Sequence, residues 1–315
     1  MARRVLITGA TGFIGKALAP RLLARGYCVA GLGRRAPGPE WDAGAEYYEC
    51  DLSGAARDVA RVVWDFSPEA VVHLAANVPA HGSAEGWDLL KAAAWAARNL
   101  FAACGRVPRL PKVIVASSSA VYGACLPGEA ISERRPLSPA SLYGVSKALV
   151  EMLSIRAEKT AGIPVVRVRL FNVIGPGQRG EHVASAFAKQ IALLAAGPGE
   201  GEVLVGNLDS WRDFVDVRDV ADAFGILVER GRRRSVYNIC SGRATRIGKV
   251  LHLLIASAGL NGKVRVRERE PLPELVPYQC GDMGKLRRAG WRPRISLRST
   301  LADLLAEFTA EQKRK

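Results

Sequence analysis

The residues TGATGFIG at positions 8–15 directly follow an apolar run at positions 5–7 and precede a stretch with helical periodicity. Glycines in such a turn let the backbone approach a pyrophosphate closely, and the N-terminus of the next helix offers unpaired N–H groups and a partial positive charge. The position between a strand and an amphipathic helix favours a dinucleotide site over a merely structural turn. The residues predicted to contact the dinucleotide here are Gly9, Thr11, Gly12, Phe13, Ile14 and Gly15.

Apolar runs bounded by turn residues alternate with longer helical patterns along the first half of the chain. Strands are predicted at positions 5–7, 28–32, 70–74, 112–116 and 165–170, with helices between them such as 14–25 and 87–104. Strands that alternate with helices form a parallel sheet covered by helices on both faces. We therefore predict an α/β fold, a Rossmann-type doubly wound parallel sheet.

The pattern changes after Phe171, where glycine and proline become frequent, as at Gly175, Pro176 and Gly177. A chain of 315 residues exceeds the size at which one core keeps growing, so a second, smaller lobe is expected. The apolar run at 236–239 can return to the large sheet, which would make this C-terminal substrate lobe discontinuous in sequence. The predicted division is 1–171 and 207–259 for the nucleotide-binding domain, and 172–206 and 260–315 for the substrate lobe.

The net charge of +15 could attract phosphorylated ligands, nucleic acid or an anionic membrane. However, the basic residues are spread along the chain, and no basic block interleaves with aromatic residues as a nucleic-acid groove requires. The six cysteines form no CxxC pair and have no histidine nearby at metal-ligand spacing. The sequence has neither a signal-peptide apolar region nor an apolar run long enough to span a membrane. These patterns predict a cytoplasmic protein without a metal, and without nucleic-acid or membrane partners.

The second predicted strand leads into Arg34 and Arg35, about 20 residues beyond the glycine-rich turn. NAD enzymes carry an acidic residue at this place to hold the ribose 2′-hydroxyl, whereas arginine can pair with a 2′-phosphate and stack on adenine. We therefore predict NADP(H), with NAD(H) left open; the alternative is a pair of solvated surface arginines. Asp51 is a candidate partner for the adenine amino group, or else a helix cap or turn residue.

Tyr143 and Lys147 stand four residues apart, which places them on one face of a helix. A nearby ammonium and a nicotinamide cation would both favour phenolate, so the pKa of the tyrosine is expected to fall below its usual value of roughly 10. Ser118 follows the strand at 112–116, where doubly wound sheets bind ligands, and its hydroxyl could hydrogen-bond a reacting carbonyl. Taken alone, the first pair could be surface helix residues, and the serine could merely satisfy backbone groups.

Six motifs occur here in the order in which one enzyme family carries them. They are TGATGFIG from Thr8, HLAA from His73, SSSAVYG from Ser117, YGVSK from Tyr143, RLFNVIGPGQ from Arg169 and WRDFVDVRD from Trp211. By these motifs, which cover most of the chain, the sequence resembles the extended short-chain dehydrogenase/reductases that modify nucleotide sugars.

The resemblance implies a role for each residue of the candidate catalytic group. It implies that Ser118 polarises the sugar carbonyl or hydroxyl, that Tyr143 exchanges its proton, and that Lys147 orients the ribose and lowers the pKa of the tyrosine. Ser118 would then also contact the substrate, and Tyr143 and Lys147 the cofactor. The further contacts implied by the resemblance are Leu52, Leu74, Ala75 and Ala76 to the cofactor and Ser119 to the substrate.

The two residues after Ser118 narrow the choice among the reactions that the family carries out on the sugar. Family members that dehydrate the sugar carry an acid pair there, whereas this chain has Ser119 and Ala120, which do not suit general acid–base elimination. Members that epimerise C3 and C5 use a cysteine at the place of Ala120. The remaining reactions are reduction of a 4-ketone, and 4-epimerisation with a retained cofactor.

Four later segments are similar to GDP-4-keto-6-deoxy-D-mannose reductases, which make GDP-D-rhamnose: FAKQI from Phe187, VGNL from Val205, RDF from Arg212 and YNICSG from Tyr237. By that resemblance Asn172, Lys189 and Arg212 hold the nucleotide diphosphate; otherwise they are a turn cap, an exposed helix residue and an ion-pair partner. The expected activity is NADPH-dependent 4-ketoreduction of a nucleotide-diphosphate sugar. The alternatives are an NDP-sugar 4-epimerase with retained NAD and a non-catalytic dinucleotide-binding protein.

The helix predicted at 87–104 differs from the family pattern at one residue. The family usually has Asn at the place of Ala93, near the active site, and its loss could weaken proton relay or alter substrate placement.

In the family this helix and the one at 142–160 pair across a two-fold axis. A homodimer is therefore expected by resemblance, although the apolar faces of both helices could instead pack internally.

Overall fold

The computed structural model describes residues 2–38, 41, 44–76, 86–197, 200–269 and 275–314. Its largest element is a seven-stranded sheet formed by β1 (Arg4–Thr8), β2 (Cys28–Gly33), β3 (Glu46–Glu49), β4 (Ala70–His73), β5 (Lys112–Ser118), β6 (Val165–Leu170) and β10 (Ser235–Ile239). The strand order is β10-β6-β5-β4-β1-β2-β3, and every neighbouring pair is parallel. The predicted Rossmann-type sheet is confirmed, and the run at 236–239 joins it beside β6 as expected.

Helices cover both faces of this sheet because its central strands are continuous apolar runs. Successive side chains of a strand point to opposite faces, so Val5 and Ile7 belong to one core while Leu6 belongs to the other. The first core is completed by α1 (Phe13–Leu23) and α6 (Val217–Arg230). The second is completed by α2 (Ala56–Phe66), α3 (Trp87–Cys104) and α4 (Leu142–Ala161).

The strand at the edge of the sheet, β3, was not apparent from the apolar pattern. Strand β3 reads Glu-Tyr-Tyr-Glu and lies at the sheet edge, where no residue of the strand is fully buried. An edge strand needs only a weak apolar pattern because one of its neighbours is solvent. Strand β5 also extends two residues beyond the predicted 112–116, so that Ser118 is its last residue.

The remaining elements form a second body of structure beside the large sheet. Strands β7 (Asn172–Ile174), β9 (Trp211–Asp216) and β11 (Ala244–Arg246) make a three-stranded sheet, and β8 (Gly201–Val205) pairs with β12 (Val264–Glu268). A third core joins α5 (Val183–Ala196), α7 (Ile247–Ser257) and α9 (Leu297–Lys313), and α8 (Gly284–Arg288) packs near β10.

The packing agrees with only part of the predicted division into domains. Helix α6 and strand β10 pack with the large sheet, as the assignment of 207–259 to the nucleotide-binding domain requires. Helix α7 falls within the same range but packs in the third core with α5 and α9. The boundaries therefore stay a prediction. No helix in the described part of the chain is both long and apolar enough to cross a membrane.

Candidate functional site

The glycine-rich turn lies where the carboxyl ends of β1, β2 and β4 meet. Gly9 adopts a left-handed φ of 69°, and its N–H donates to the carbonyl of Leu32 at 2.8 Å. A β-carbon at Gly9 would lie 2.8 Å from the backbone of Ala75, and one at Gly15 would overlap the carbonyl of Ala10. Only glycine fits at these positions, because the turn, the loop after β4 and the start of α1 are in direct backbone contact.

Helix α1 begins at Phe13, and no side chain caps its N-terminus at Gly12. Its first N–H groups are therefore directed at the mouth of the turn, beside Thr11, and can receive an anionic group. Phe13, Ile14 and Thr11 are all partly buried around this opening. The geometry thus fits the predicted pyrophosphate position.

The loop after β4 is joined to β1 by a buried polar pair. Thr8 Oγ1 and His73 Nδ1 lie 2.8 Å apart, and the same Thr8 oxygen accepts from the N–H of Ala75 at 3.3 Å. Burial, and next the charge of Lys147, lower the pKa of His73 to about 3, so the imidazole is neutral. Leu74 and Ala75 are consequently held against the glycine turn, partly buried, and Ala76 follows them with its side chain exposed.

The arginines predicted to select the cofactor lie at the end of β2. Arg34 and Arg35 are both exposed, and the carbonyl of Arg35 accepts from the Tyr47 hydroxyl at 2.8 Å. Arg34 lines a surface pocket together with Asp51 and with Arg61 of α2. The structure therefore places the predicted arginine and the predicted adenine partner on the same pocket.

Asp51 and Leu52 lie in the loop between β3 and α2. One carboxylate oxygen of Asp51 accepts from the N–H and the hydroxyl of Ser53, at 2.9 and 2.7 Å, which makes Asp51 a turn residue as well as a candidate adenine partner. The buried amide of Asn99 in α3 donates to the carbonyls of Leu52 and Gly54, at 2.9 and 3.0 Å. Asn99 thereby fixes this loop over the second core, a role that sequence reasoning missed although it is a lone amide in an otherwise apolar part of α3.

The predicted catalytic residues meet at the carboxyl end of β5. Ser118 ends the strand, and Tyr143 lies in the first turn of α4, which is capped by the Ser141 hydroxyl. A β-carbon at Gly144 would lie 2.6 Å from the carbonyl of Ala120, so α4 begins in close contact with the turn that follows Ser118.

Lys147 is buried beneath Tyr143. Its ammonium donates to the carbonyl of Ala116 at 3.2 Å and lies 5.7 Å from the centre of the Tyr143 ring. Burial lowers the pKa of Lys147 to about 8. The structure therefore brings Ser118, Tyr143 and Lys147 together, with the lysine fixed by the strand that also carries the serine.

The electrostatics of Tyr143 differ from the sequence expectation. Burial raises the pKa of the phenol above 10, and a hydrogen bond with Ser118 opposes that rise only in part. The expected lowering is therefore wrong for the protein by itself, because desolvation of the phenolate outweighs the opposing hydrogen bond with Ser118. The sequence also predicted that the cation of an oxidised nicotinamide lowers the pKa of Tyr143, and this effect requires the bound cofactor.

The three residues predicted to hold the nucleotide diphosphate fall into two places. Asn172 begins β7, where its amide donates to the carbonyl of Asp213 at 3.0 Å, and Arg212 lies on the adjacent β9 and donates to the carbonyl of Trp211 at 2.9 Å. Lys189 is exposed on α5, with its aliphatic stem against Gly180. The structure thus brings Asn172 and Arg212 together on one small sheet and puts Lys189 on a separate element.

Ser119 is buried, and its hydroxyl already has a protein partner. It donates to Gln279 Oε1 at 2.7 Å, while the Gln279 amide donates to the carbonyls of Ser119 and Gly123 at 3.0 and 3.3 Å. The predicted substrate contact of Ser119 therefore stays a prediction. Gln279 anchors the turn after Ser118 from 160 residues away, and no local pattern in the sequence signals it.

The sequence matches the NAD dependent epimerase/dehydratase family over residues 5–240. The chain belongs to this family. It is 30% identical to a GDP-6-deoxy-D-mannose reductase of Pseudomonas aeruginosa, with 98% of each chain covered. It is 31% identical to a UDP-glucose 4-epimerase of Mycolicibacterium smegmatis, covering 97% of this chain and 98% of that one. Among solved structures, RMD from Pseudomonas aeruginosa complexed with NADPH superposes with a TM-score of 0.85 at 28% identity, covering 98% of this chain and all of the other.

Asp213 is a further residue that organises this epimerase/dehydratase family site. Its buried carboxylate accepts from the N–H and hydroxyl of Ser241, both at 2.7 Å, and from the N–H groups of Gly242 and Gly281 at 2.9 and 3.1 Å. Burial raises its pKa although these hydrogen bonds lower it. Asp213 therefore ties β9, which carries Arg212, to the segment that carries Gln279.

The departure from the family pattern at Ala93 lies on α3. Its side chain is partly buried and packs against the second core, as do Ala96 and Ala97 on the same helix. The methyl group fills a place in the packing, and it offers no hydrogen bond to a proton relay.

Proposed function

We propose that this chain is an NADPH-dependent oxidoreductase that reduces the 4-ketone of a nucleotide-diphosphate 4-keto-6-deoxyhexose, namely GDP-4-keto-6-deoxy-D-mannose to GDP-D-rhamnose. The observation that carries the proposal is the meeting of Ser118, Tyr143 and Lys147 beside the glycine turn. The similarity over the full chain to a GDP-6-deoxy-D-mannose reductase supports the choice of substrate.

The residues at the glycine turn fit a dinucleotide by an observation independent of family membership. The backbone contact between Gly9 and Ala75, and the uncapped start of α1, leave a concave surface of N–H groups that suits a pyrophosphate. Arg34 and Arg35 would hold the 2′-phosphate that distinguishes NADPH from NADH. When bound, NADPH supplies the hydride that reduces C4.

The side chains then supply the proton and orient the ketone. The Ser118 hydroxyl donates a hydrogen bond to the ketone oxygen, and the Tyr143 phenol donates its proton to that oxygen as the alcohol forms. Lys147, fixed on the carbonyl of Ala116, stabilises the phenolate left behind until water reprotonates it. One hydride and one proton thus convert the ketone to an alcohol.

The raised pKa of Tyr143 suits this residue as the proton donor in the proposed reduction. A phenol whose pKa lies above 10 is protonated at neutral pH and is ready to donate, which is what ketone reduction requires. The reduced nicotinamide of NADPH carries no positive charge and therefore does not lower this pKa.

The proposal is tested by following NADPH oxidation at its absorbance band, with GDP-4-keto-6-deoxymannose generated in situ and NADH run in parallel. We expect rapid oxidation of NADPH, slower oxidation of NADH, and loss of both in Tyr143→Phe. A Tyr143→Phe variant with unchanged activity would overturn the mechanism.

A second candidate is an NDP-sugar 4-epimerase, favoured by the 31% identity to a UDP-glucose 4-epimerase. Such an enzyme regenerates its cofactor in each cycle and keeps it bound. Denaturing the purified protein would then release stoichiometric NAD, and the sugar would interconvert without added reductant. Protein purified without dinucleotide that consumes one NADPH per sugar would exclude it.

We also propose that the chain forms a homodimer through α3 and α4. The two helices pack against each other in the protomer, yet Trp87, Trp95, Met152 and Ile155 on them remain between 39% and 77% exposed. Large apolar side chains gathered on adjacent helices mark a protein–protein interface.

A further inference from the structure

Two buried ion pairs join α4 to β6. Arg169 contacts Glu151 through two hydrogen bonds, Nε to Oε1 at 2.9 Å and Nη2 to Oε2 at 2.8 Å. Arg167, two residues earlier on the strand, donates to Glu158 at 2.9 Å. All four side chains are at least 94% buried. Buried pairs of this kind cost desolvation energy, so they call for a reason beyond stability.

Glu151 lies on the face of α4 that carries the proposed catalytic residues. Tyr143, Lys147 and Glu151 follow one another at intervals of four residues, which places them on one stripe of the helix. The contact between Glu151 and Arg169 therefore fixes the height and the rotation of α4 one turn beyond Lys147.

Arg169 also contacts the element that carries Ser118. Its guanidinium lies 4.6 Å from the centre of the Tyr122 ring, and Tyr122 ends the short 3-10 helix Ser119–Val121, which begins directly after Ser118. The Tyr122 hydroxyl is fixed in turn by Asn238 Oδ1 at 2.7 Å. One side chain thus contacts the helix of Tyr143 and Lys147 and the turn of Ser118 at the same time.

We propose that Arg169, held by Glu151, is a positioning residue that sets the separation between Ser118 and the pair Tyr143 and Lys147. The second ion pair lacks the link to the turn, because Arg167 donates to Glu158 and to the Ser154 hydroxyl of the same helix. Arg167 and Glu158 therefore anchor α4 without reaching the Ser118 turn. The inference rests on the proposed reduction for its kinetic part only.

The test compares two double variants, Glu151→Leu with Arg169→Met, and Glu158→Gln with Arg167→Met. Glu158 also accepts from the backbone N–H groups of Val165 and Arg234, and the glutamine keeps an oxygen for them. Neither variant leaves an unpaired buried charge, so both are expected to fold. We expect the first variant to lose about 10- to 100-fold in kcat, since small misplacements of reacting groups have effects of this size. Its KM for NADPH and for the sugar should change by less than about threefold, and the second variant should keep kcat within about threefold.

Hydrogen exchange supplies a readout that does not depend on the substrate. Amides of residues 118–123 should exchange faster in the variant at Glu151 and Arg169 and stay unchanged in the variant at Glu158 and Arg167, at matched thermal midpoints. Equal loss of kcat in both variants, or unchanged exchange of the 118–123 turn, would overturn the positioning role. If the wild type fails to turn over the sugar, the proposed function fails, while the exchange comparison still decides this inference.

Discussion

Lys147 shows how burial of a single residue determines the pH range of the proposed reaction. Its pKa is lowered to about 8 because the ammonium is desolvated between α4 and β5. The pKa of Tyr143 moves the other way, since the phenolate is also the charged form and burial disfavours it. As the pH rises, Lys147 therefore loses its proton before Tyr143 does.

From this order we predict that kcat/KM for NADPH-dependent reduction falls with a single limb near pH 8. Below that pH Lys147 is charged and stabilises the developing phenolate; above it the charge is lost while Tyr143 is still protonated. The measurement is a pH profile of the wild type and of Lys147→Arg. The arginine stays charged, so its lower activity should be flat between pH 7 and roughly 10. A limb that persists in the arginine variant would assign it to another group.

The same shift has a consequence for stability. The folded pKa of Lys147 lies below its unfolded value of about 10.4, so between pH 8 and 10.4 the unfolded chain binds more protons than the folded one. The contribution of Lys147 to the free energy of unfolding therefore rises with pH through that window. Below the window, the buried charge lowers the stability of the fold. Urea unfolding of the wild type against Lys147→Met at pH 7 and pH 10 measures the effect. We expect the stability advantage of the methionine variant to shrink as the pH rises; a constant difference would contradict it.

In the proposed mechanism, Arg34 and Arg35 select the cofactor by binding its 2′-phosphate. We predict that replacing both with alanine lowers kcat/KM for NADPH by about 10- to 100-fold, the size expected for lost charge-assisted hydrogen bonds. The value for NADH should change by less than about threefold. Arg57→Ala is the matched control, because this arginine of α2 has a side chain 90% exposed and lines a different surface groove. A parallel loss with both cofactors would refute the 2′-phosphate role.

At the scale of elements, the loop between β3 and α2 depends on α3. The buried Asn99 amide satisfies two backbone carbonyls of that loop, at Leu52 and Gly54. Since the loop also carries Asp51, the proposed adenine partner, we expect the packing of α3 to affect where the adenine binds.

We predict that Asn99→Leu lowers the free energy of unfolding by about 1–3 kcal/mol, the cost of leaving buried carbonyls unsatisfied. NADPH binding should weaken as well, because the loop loses its anchor. Urea unfolding and titration of NADPH fluorescence measure the two effects. Asn207→Leu, which removes an exposed amide whose oxygen accepts from the local N–H of Asp209, is the control. Unchanged NADPH affinity with reduced stability would limit Asn99 to a structural role.

The sequence predicted those elements and sites whose signal is local. The buried central strands were found from their apolar runs, and Tyr143 and Lys147 from their spacing on one helix. The exposed edge strand β3 was not predicted because its Glu-Tyr-Tyr-Glu sequence has little apolar pattern. Gln279 and Asp213 escaped because their partners, at Ser119 and Ser241, are distant in sequence and are brought near only by the fold. The direction of the pKa shift of Tyr143 could not be predicted for the same reason, since burial is a property of the packed structure.

At the scale of the whole molecule, the exposed apolar side chains of α3 and α4 predict a dimer. We expect light scattering after gel filtration to give twice the mass of one chain, and Met152→Lys to shift the protein to monomer, because a charge in an apolar interface is costly. Leu193→Lys is the control, since Leu193 is 50% exposed on α5, outside this surface. A wild-type monomer, or a dimer that tolerates Met152→Lys, would contradict the proposed interface.

The most direct test of the central proposal follows the hydride itself. NADPH carrying deuterium at the transferable position of the nicotinamide is incubated with the enzyme and GDP-4-keto-6-deoxymannose, and the sugar product is analysed by mass spectrometry and NMR. We predict one deuterium per sugar, located at C4, and none with Tyr143→Phe. A product without deuterium, or a sugar inverted at C4 with no NADPH consumed, would contradict it.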